Sequence, residues 1–268
     1  MRVFDTLGRR KVVLGMVHLR PLPGTPLYEE GSFPEILDVA VESARALDEG
    51  GADGCLVQTV DRVYSAGEDS DPARTTAIGL ITSAIVAATR PEFQVGVQLM
   101  RNALKASLAV AKVAGGGYIR AGALVGATLT THGLVQADPL AVAEYRRKIN
   151  AQQIKVIADV DSMHFKWFGE PRPTGEVARA AMQVGADAVA LGHPDEDTTL
   201  EMVASVRRAA PDLPVILAGY TDHDNAARLL AAADGAFVGT CLEVGGWGGR
   251  IDVERVKEYV DIVRSLET

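Results

Sequence analysis

The chain is short of several things, and each shortage removes a class of protein. Two cysteines, Cys55 and Cys241, show no metal-like spacing. Both sit inside apolar runs and are expected as buried free thiols. No apolar stretch approaches the roughly 20 residues that span a bilayer. The opening segment, MRVFDTLGRRKVV, lacks the apolar core and cleavage site of a signal peptide. Lys and Arg together number 27 against 35 Asp and Glu, a net charge of −8. That balance argues against nucleic acid as a partner, since binding it needs a basic face. A soluble cytoplasmic protein is expected. No linker or low-complexity segment interrupts residues 1–268, so one domain is expected.

What the chain does have is a phrase that returns. GGADGCLV begins at Gly50, AGGGYIR at Ala114, VGADAVALG at Val184 and AAADGAFVGT at Ala231. Each joins the end of an Ala-rich helical pattern to a short β-like run, and small residues there permit a tight turn with close packing. Four further runs lie between them: Val12–Leu19, Phe93–Leu99, Lys155–Asp161 and Pro214–Gly219. Helical patterns fall near Pro34–Gly50, Ala73–Ala88, Asn102–Val113, Pro139–Asn150, Thr174–Val184, Glu196–Ala209, Asp224–Ala232 and Asp252–Leu266.

Strand and helix alternate, which predicts an α/β protein. Eight βα units in this length have the rhythm of a closed (β/α)8 TIM barrel. The nearly uninterrupted apolar strands fit a parallel sheet covered by helices. An open doubly wound sheet is the alternative. It is disfavoured because no strand-to-helix turn carries a dinucleotide glycine fingerprint.

Alternate residues of a barrel strand point inward. The parity that must stay apolar to meet the helices fixes the phase of each strand. On that phase His18, Gln58, Gln98, Arg120 and Asp159 face inward near the carboxyl ends of five successive strands, with Asp161 in phase with Asp159. A purely structural barrel fills such layers with Val, Ile and Leu. Buried Arg and Asp need partners or a cavity. The five histidines, His18, His132, His164, His193 and His223, all fall at or just after expected strand ends. This is the face where barrel enzymes place their sites.

The last two strands run into ILAGYTDHDNAARLL and FVGTCLEVGGWGGR. Small residues at Ala218, Gly219, Gly239 and Thr240 let backbone amides approach a ligand, and loops after strands seven and eight often bind phosphate in this fold. Gly219, Tyr220, Thr221, Gly239 and Thr240 are therefore the expected phosphate site. Ordinary tight turns, with Thr221 capping the next helix, are the competing reading. The glycine-rich run Gly245–Arg250 fits either a mobile flap or a connector with Trp247 packed beneath it. Asp159, Asp161 and His164, with His18 and His193, are the candidate ligands for a divalent metal. Otherwise the cofactor is unknown. No nicotinamide or flavin is indicated, and no lysine sits where a Schiff base would need it.

The residues also carry a resemblance. LGMVHLRPLPGTP, GVQLMRNALKASLAVAKVAGGGYIRAGALVGA, VIADVDSMH and ADGAFVGTCLEVGG followed by IDVERV closely resemble signatures of the BtpA/SgcQ family. The likeness covers nearly the whole chain. It implies a (β/α)8 barrel and shared site positions at His18, Arg101, Asn102, Arg120, Asp159, His164 and Gly239. Departures fall at the expected pocket. Gln58 and Thr59 stand where the family tends to have Glu-Asn. Gln98 and Gly122 replace asparagines, Thr130-Thr131-His132-Gly133 replaces TDQG, and Met163 replaces a lysine.

The expectation is an enzyme for a small phosphorylated, sugar-like or phosphoribosyl-type substrate. His18, Asp159, His164 and Arg120 would carry acid–base catalysis. Gln58, Gln98, Arg101, Asn102, Asp161, His132 and His193 would bind substrate. Isomerase, lyase and transferase chemistry are all compatible. A non-catalytic biogenesis factor and a small-molecule-binding regulator are the rivals. The partner is expected to be a small molecule, with no nucleic acid and no transmembrane segment, and the protein is expected to be a homo-oligomer.

Overall fold

In the computed structural model, which describes Phe4 and residues 11–267, eight parallel strands close into a barrel. They are β1 (Val12–Leu19), β2 (Gly54–Thr59), β3 (Gln94–Gln98), β4 (Tyr118–Ala121), β7 (Lys155–Asp161), β8 (Ala188–Leu191), β9 (Val215–Ala218) and β10 (Gly235–Val238). Each neighbours the next, and β10 returns to pair with β1. The helices are α1 (Phe33–Glu49), α2 (Pro72–Ala88), α3 (Leu104–Ala114), α4 (Pro139–Lys148), α5 (Thr174–Gln183), α6 (Glu196–Ala209), α7 (Ala226–Ala232) and α8 (Val253–Ser265). Two small hairpins escaped the sequence reading. One is β5 (Ala127–Thr130) with β6 (Gly133–Gln136), above β4, and the other is β11 (Glu243–Val244) with β12 (Arg250–Ile251), after β10. No helix of the described residues is long and apolar enough to cross a membrane.

Helix starts follow the chemistry of the sequence. Asp71, Asp138, Asp195 and Asp252 each accept a hydrogen bond from backbone N–H groups of the first turn, and proline follows the first two. The recurring Ala-Asp phrase has a role of its own. The carboxylates of Asp53, Asp187 and Asp234 accept the N–H of Val13, Val156 and Val215, at 2.8, 2.9 and 2.7 Å. Each acid stands at the amino end of one strand and fastens the start of its neighbour. Arg264, Arg146 and Arg207 pair with them in turn.

Strand parity divides the core as expected. Val13, Val17, Cys55, Val57, Val97, Ile119, Val156 and Ala158 pack outward among the helices. Leu14, Met16, Leu56, Tyr118, Ile157, Ile216 and Phe237 fill the barrel, with Phe4 beneath them. The Tyr118 ring is fully buried, edge-on to Phe4 at 5.3 Å between centroids, and its hydroxyl donates to the Cys55 carbonyl at 2.7 Å. It fits because its register partner is Gly96: a Cβ there would lie 2.1 Å from the ring. The apolar fill ends at this level, and the layer above it is polar.

Candidate functional site

Above the packed layer lies a cavity of about 660 Å³, within the range of small-molecule sites. One wall is built from side chains of His18, Gln58, Arg120, Met163 and His164. The opposite wall is formed by the turns Ala218–Asp222 and Gly239–Cys241, and Trp247 stands at its rim. Gly219 and Tyr220 both take positive φ, 98° and 58°, which curls the first of these turns around the opening.

His18 follows Leu14 and Met16 on the inner face of β1. Its Nδ1 lies 3.6 Å from Oε1 of Glu243, and its ring is 5.6 Å from that of Trp247. Glu243 escaped the sequence reading. It is 3 % exposed, and its other oxygen accepts the Gly248 N–H at 2.7 Å. The glycine-rich run is thus the turn of a small hairpin held over the mouth by this carboxylate. Trp247 is 54 % exposed, so it is not packed beneath a connector.

Arg120 extends from β4 and lays its guanidinium over the Phe237 ring, 4.8 Å from the centroid. Its Nε and Nη2 donate to Oδ2 and Oδ1 of Asp159 at 2.9 and 2.8 Å. Both partners are buried. Asp159 is therefore not an open acid–base group of the cavity wall. Its two oxygens are committed to aiming Arg120.

His164 does reach the cavity. Burial, reinforced by the nearby Arg120 charge, pushes its pKa down to about 3. It is a neutral imidazole at neutral pH, able to donate one hydrogen bond but not to act as an imidazolium acid.

Several expectations need correction. Asp161 was placed inward with Asp159, but the β7–β8 register shifts between them, and Asp161 pairs with Leu191 of the outer core. Its carboxylate instead accepts from Lys166 at 2.5 Å and Thr174 at 3.2 Å. Asp159, Asp161 and His164 consequently do not converge. Among the described residues, no group of three His, Cys, Asp or Glu side chains is placed to hold a metal ion.

Asn102 does not face the cavity. Its carboxamide accepts the Ala123 N–H at 2.8 Å and donates to the Ala123 carbonyl at 3.0 Å, tying the loop after β3 to the one after β4. Arg101 is partly buried, which lowers its pKa, and reaches the His164 carbonyl at 3.4 Å. His132, His193 and His223 are not among the residues that line the cavity. His132 and His223 ring nitrogens meet the Arg62 and Arg255 carbonyls, each at 2.9 Å, and His193 Nδ1 accepts the Asp195 N–H at 3.0 Å.

On the far wall, Thr221 does not cap α7. Its hydroxyl shares a buried hydrogen bond of 2.8 Å with Tyr259, and Asn225 holds the N-cap position. Cys241 is half-buried and lines the cavity rather than lying in the core. Desolvation pushes its thiol up to about 12, so it is no thiolate nucleophile at neutral pH. A second buried ion pair also escaped the sequence reading. Arg74 of α2 donates to Asp61 at 2.8 Å, Thr59 at 2.8 Å and the Met100 carbonyl at 2.6 Å. This network cross-links the loops that follow β2 and β3.

A closed parallel barrel with polar side chains crowning its carboxyl end defines a (β/α)8 barrel protein with a ligand-sized site at the usual face. Within that class the chain belongs to the BtpA family, whose model matches residues 9–265. It is 30% identical to the photosystem I biogenesis protein BtpA of Synechocystis, covering 97% of this chain and 91% of that protein. It is 28% identical to an uncharacterized protein of Methanocaldococcus jannaschii, covering 97% of each. Among solved structures it resembles thiamine phosphate pyrophosphorylase from Pyrococcus furiosus, with a TM-score of 0.58, 18% identity and 97% and 98% of the two chains covered. It also resembles N-(5'-phosphoribosyl)anthranilate isomerase from the same organism, with a TM-score of 0.56, 15% identity and 95% and 99% covered. At these identities the structural likeness shows the fold.

Proposed function

We propose that the protein is an enzyme that binds a small phosphorylated, sugar-like or phosphoribosyl-type substrate across this cavity and works by acid–base chemistry at His18. The observation that carries the reading is the convergence of His18, His164 and Arg120 on one cavity whose opposite wall is backbone from the turns after β9 and β10. Those turns, Gly219–Thr221 and Gly239–Thr240, occupy the place where this fold commonly binds phosphate. The two solved relatives named above carry phosphorylated compounds in their names, which agrees with the reading.

The residues divide the work. His18 moves the proton, since an imidazole can accept at one ring nitrogen while it donates from the other. Glu243, 3.6 Å from Nδ1 and short of a hydrogen bond, steadies the imidazolium by its charge when it forms. Arg120, aimed by Asp159, meets the oxygen on which negative charge develops. Neutral His164 donates a hydrogen bond to the same region. Isomerisation, elimination and group transfer all draw on this set: one proton carrier beside one oxyanion partner.

The test is a thermal-shift screen with sugar phosphates, phosphoribosyl compounds, nucleotides and inorganic phosphate. Phosphorylated sugars should raise Tm. Thr240→Glu, which adds a negative charge on an exposed residue of the anion wall, should abolish that rise without altering the unliganded Tm. A screen in which no phosphorylated compound raises Tm removes the reading. It would favour a non-catalytic assembly factor, a role consistent with the Synechocystis relative's name and with the exposed Leu129 and Leu134 facing each other on the β5–β6 hairpin.

A further inference from the structure

Among the described residues, four buried side-chain polar atoms lack a hydrogen-bond partner: His18 Nδ1, Gln58 Oε1, and both Nε2 and Oε1 of Gln98. They do not scatter. His18 pairs in register with Gln58, and Gln58 with Gln98, so all four belong to one inner row across β1, β2 and β3. Gln58, 5 % exposed, lines the cavity, whereas Gln98, 1 % exposed, is not one of its wall residues but adjoins Gln58 in register. The other buried polar side chains of the described residues have partners, as in the Arg120–Asp159 and Arg74–Asp61 pairs. Native proteins rarely leave such groups orphaned, and a cluster of them calls for a functional explanation.

We propose that this row is the subsite for a vicinal diol, the hydroxylated carbon chain of the ligand. The inference rests on the functional reading above and fixes which end of the substrate enters deepest. A hydroxyl both donates and accepts. One hydroxyl therefore satisfies Gln58 Oε1 as donor and Gln98 Nε2 as acceptor, and its neighbour on the next carbon falls on the His18 side. The alternatives fit less well. A carboxylate only accepts, so it would leave both glutamine oxygens, Gln58 Oε1 and Gln98 Oε1, without a donor. A nucleobase would want a stacking face, but the Phe237 ring is covered by Arg120 on one side and stacked with Tyr118 at 6.4 Å. The free aromatic surface, Trp247, is at the mouth instead. The ligand is thus placed with its polyol end at the glutamines, its reacting carbon by His18, and its anion at the turns after β9 and β10.

The experiment titrates the full chain with inorganic phosphate, D-ribose 5-phosphate, D-glucose 6-phosphate and their 2-deoxy forms, and with free D-ribose and D-glucose. The wild type is compared with Gln58→Met and Gln98→Met, which keep the side-chain length. The wild type should prefer the tightest sugar phosphate over inorganic phosphate by about tenfold or more, and lose part of that preference for the 2-deoxy form. Each variant should lose the preference, bind inorganic phosphate as before, and melt at the same temperature or higher, because an orphaned amide has been removed. A preference that survives both substitutions overturns the subsite. So does a large fall in Tm in both variants, which would mark the row as a structural network closed by bound water. Phosphate binding with no advantage for any sugar also overturns it, while leaving the anion reading intact. Glutamine-dependent binding of free sugar without any phosphate binding would support the diol subsite and remove the anion reading instead. Binding of neither overturns both.

Discussion

The ion pair between Arg120 and Asp159 sets up the sharpest test of how the polar crown is built. Both side chains are buried, at 2 % and 0 % exposure, and two parallel N–H to oxygen contacts of 2.9 and 2.8 Å join them. Desolvating both charges offsets much of their attraction, so the intact pair contributes little net stability. Losing one partner is different, because the other charge stays buried. That costs about 3–5 kcal/mol. For a chain of this size about 1 kcal/mol moves Tm by roughly 2–4 °C, so Asp159→Ala should melt about 6–20 °C lower. Asp159→Asn keeps one acceptor and falls toward the low end. The double variant Arg120→Met with Asp159→Leu removes both charges and should recover most of the loss. Urea denaturation of the wild type, both single variants and the double gives the cycle. Single losses below about 1 kcal/mol, or a double variant that loses the sum of the singles, would refute the buried-pair account.

Three further outcomes are expected. The His164 pKa is pushed from 6.5 to about 3, so below pH 6.5 the unfolded chain takes up a proton there that the folded chain refuses. Stability should fall as pH drops from about 6.5 toward 3, and His164→Gln should flatten part of that slope when Tm is followed against pH; parallel profiles for the two proteins would count against the buried neutral imidazole. Asn102→Ala, which strands the N–H and carbonyl of Ala123, should cost about 1–3 kcal/mol in urea denaturation. Any change in tryptophan emission on adding a sugar phosphate should survive Trp167→Phe and vanish in Trp247→Phe, because Trp247 stands at the cavity rim and Trp167 packs against Gly126 and Arg172.

The barrel was legible because its strands are long enough to show one parity and its helices begin at acids and prolines. The small residues of the recurring Ala-Asp phrase point to a tight turn, which is half of its role. Asp53, Asp187 and Asp234 also clamp the neighbouring strand, and that contact crosses 40, 31 and 19 residues of chain respectively with no periodic trace. The hairpins β5–β6 and β11–β12 were passed over for a related reason. Their strands of four and two residues pair only with each other, too short for alternation to stand out from loop composition. Gly133, at φ 114° in the first of the two, was the available turn signal.

At the site the same logic succeeds and fails strand by strand. Period-2 counting placed His18, Gln58 and Arg120 on the cavity because β1, β2 and β4 run without interruption. It misplaced Asp161 because one register shift in β7 reverses the parity beyond it. Clustering of histidines at strand ends was real, but three of the five bond to backbone groups away from the cavity, while His18 and His164 line it. Glu243 belongs to no period at all. Closure of the barrel brings it to His18: Gly15 pairs with Val238, so the segments leaving β1 and β10 rise side by side, and a carboxylate 225 positions away in the chain meets the imidazole. An acid wedged between Leu242 and Val244, just past the last strand, was the one local sign. An unpaired carboxylate is costly to bury, so an acid in an apolar context at a strand's carboxyl end points to a partner on the strand that closes the ring. Here that strand is β1, and its last inward residue is His18.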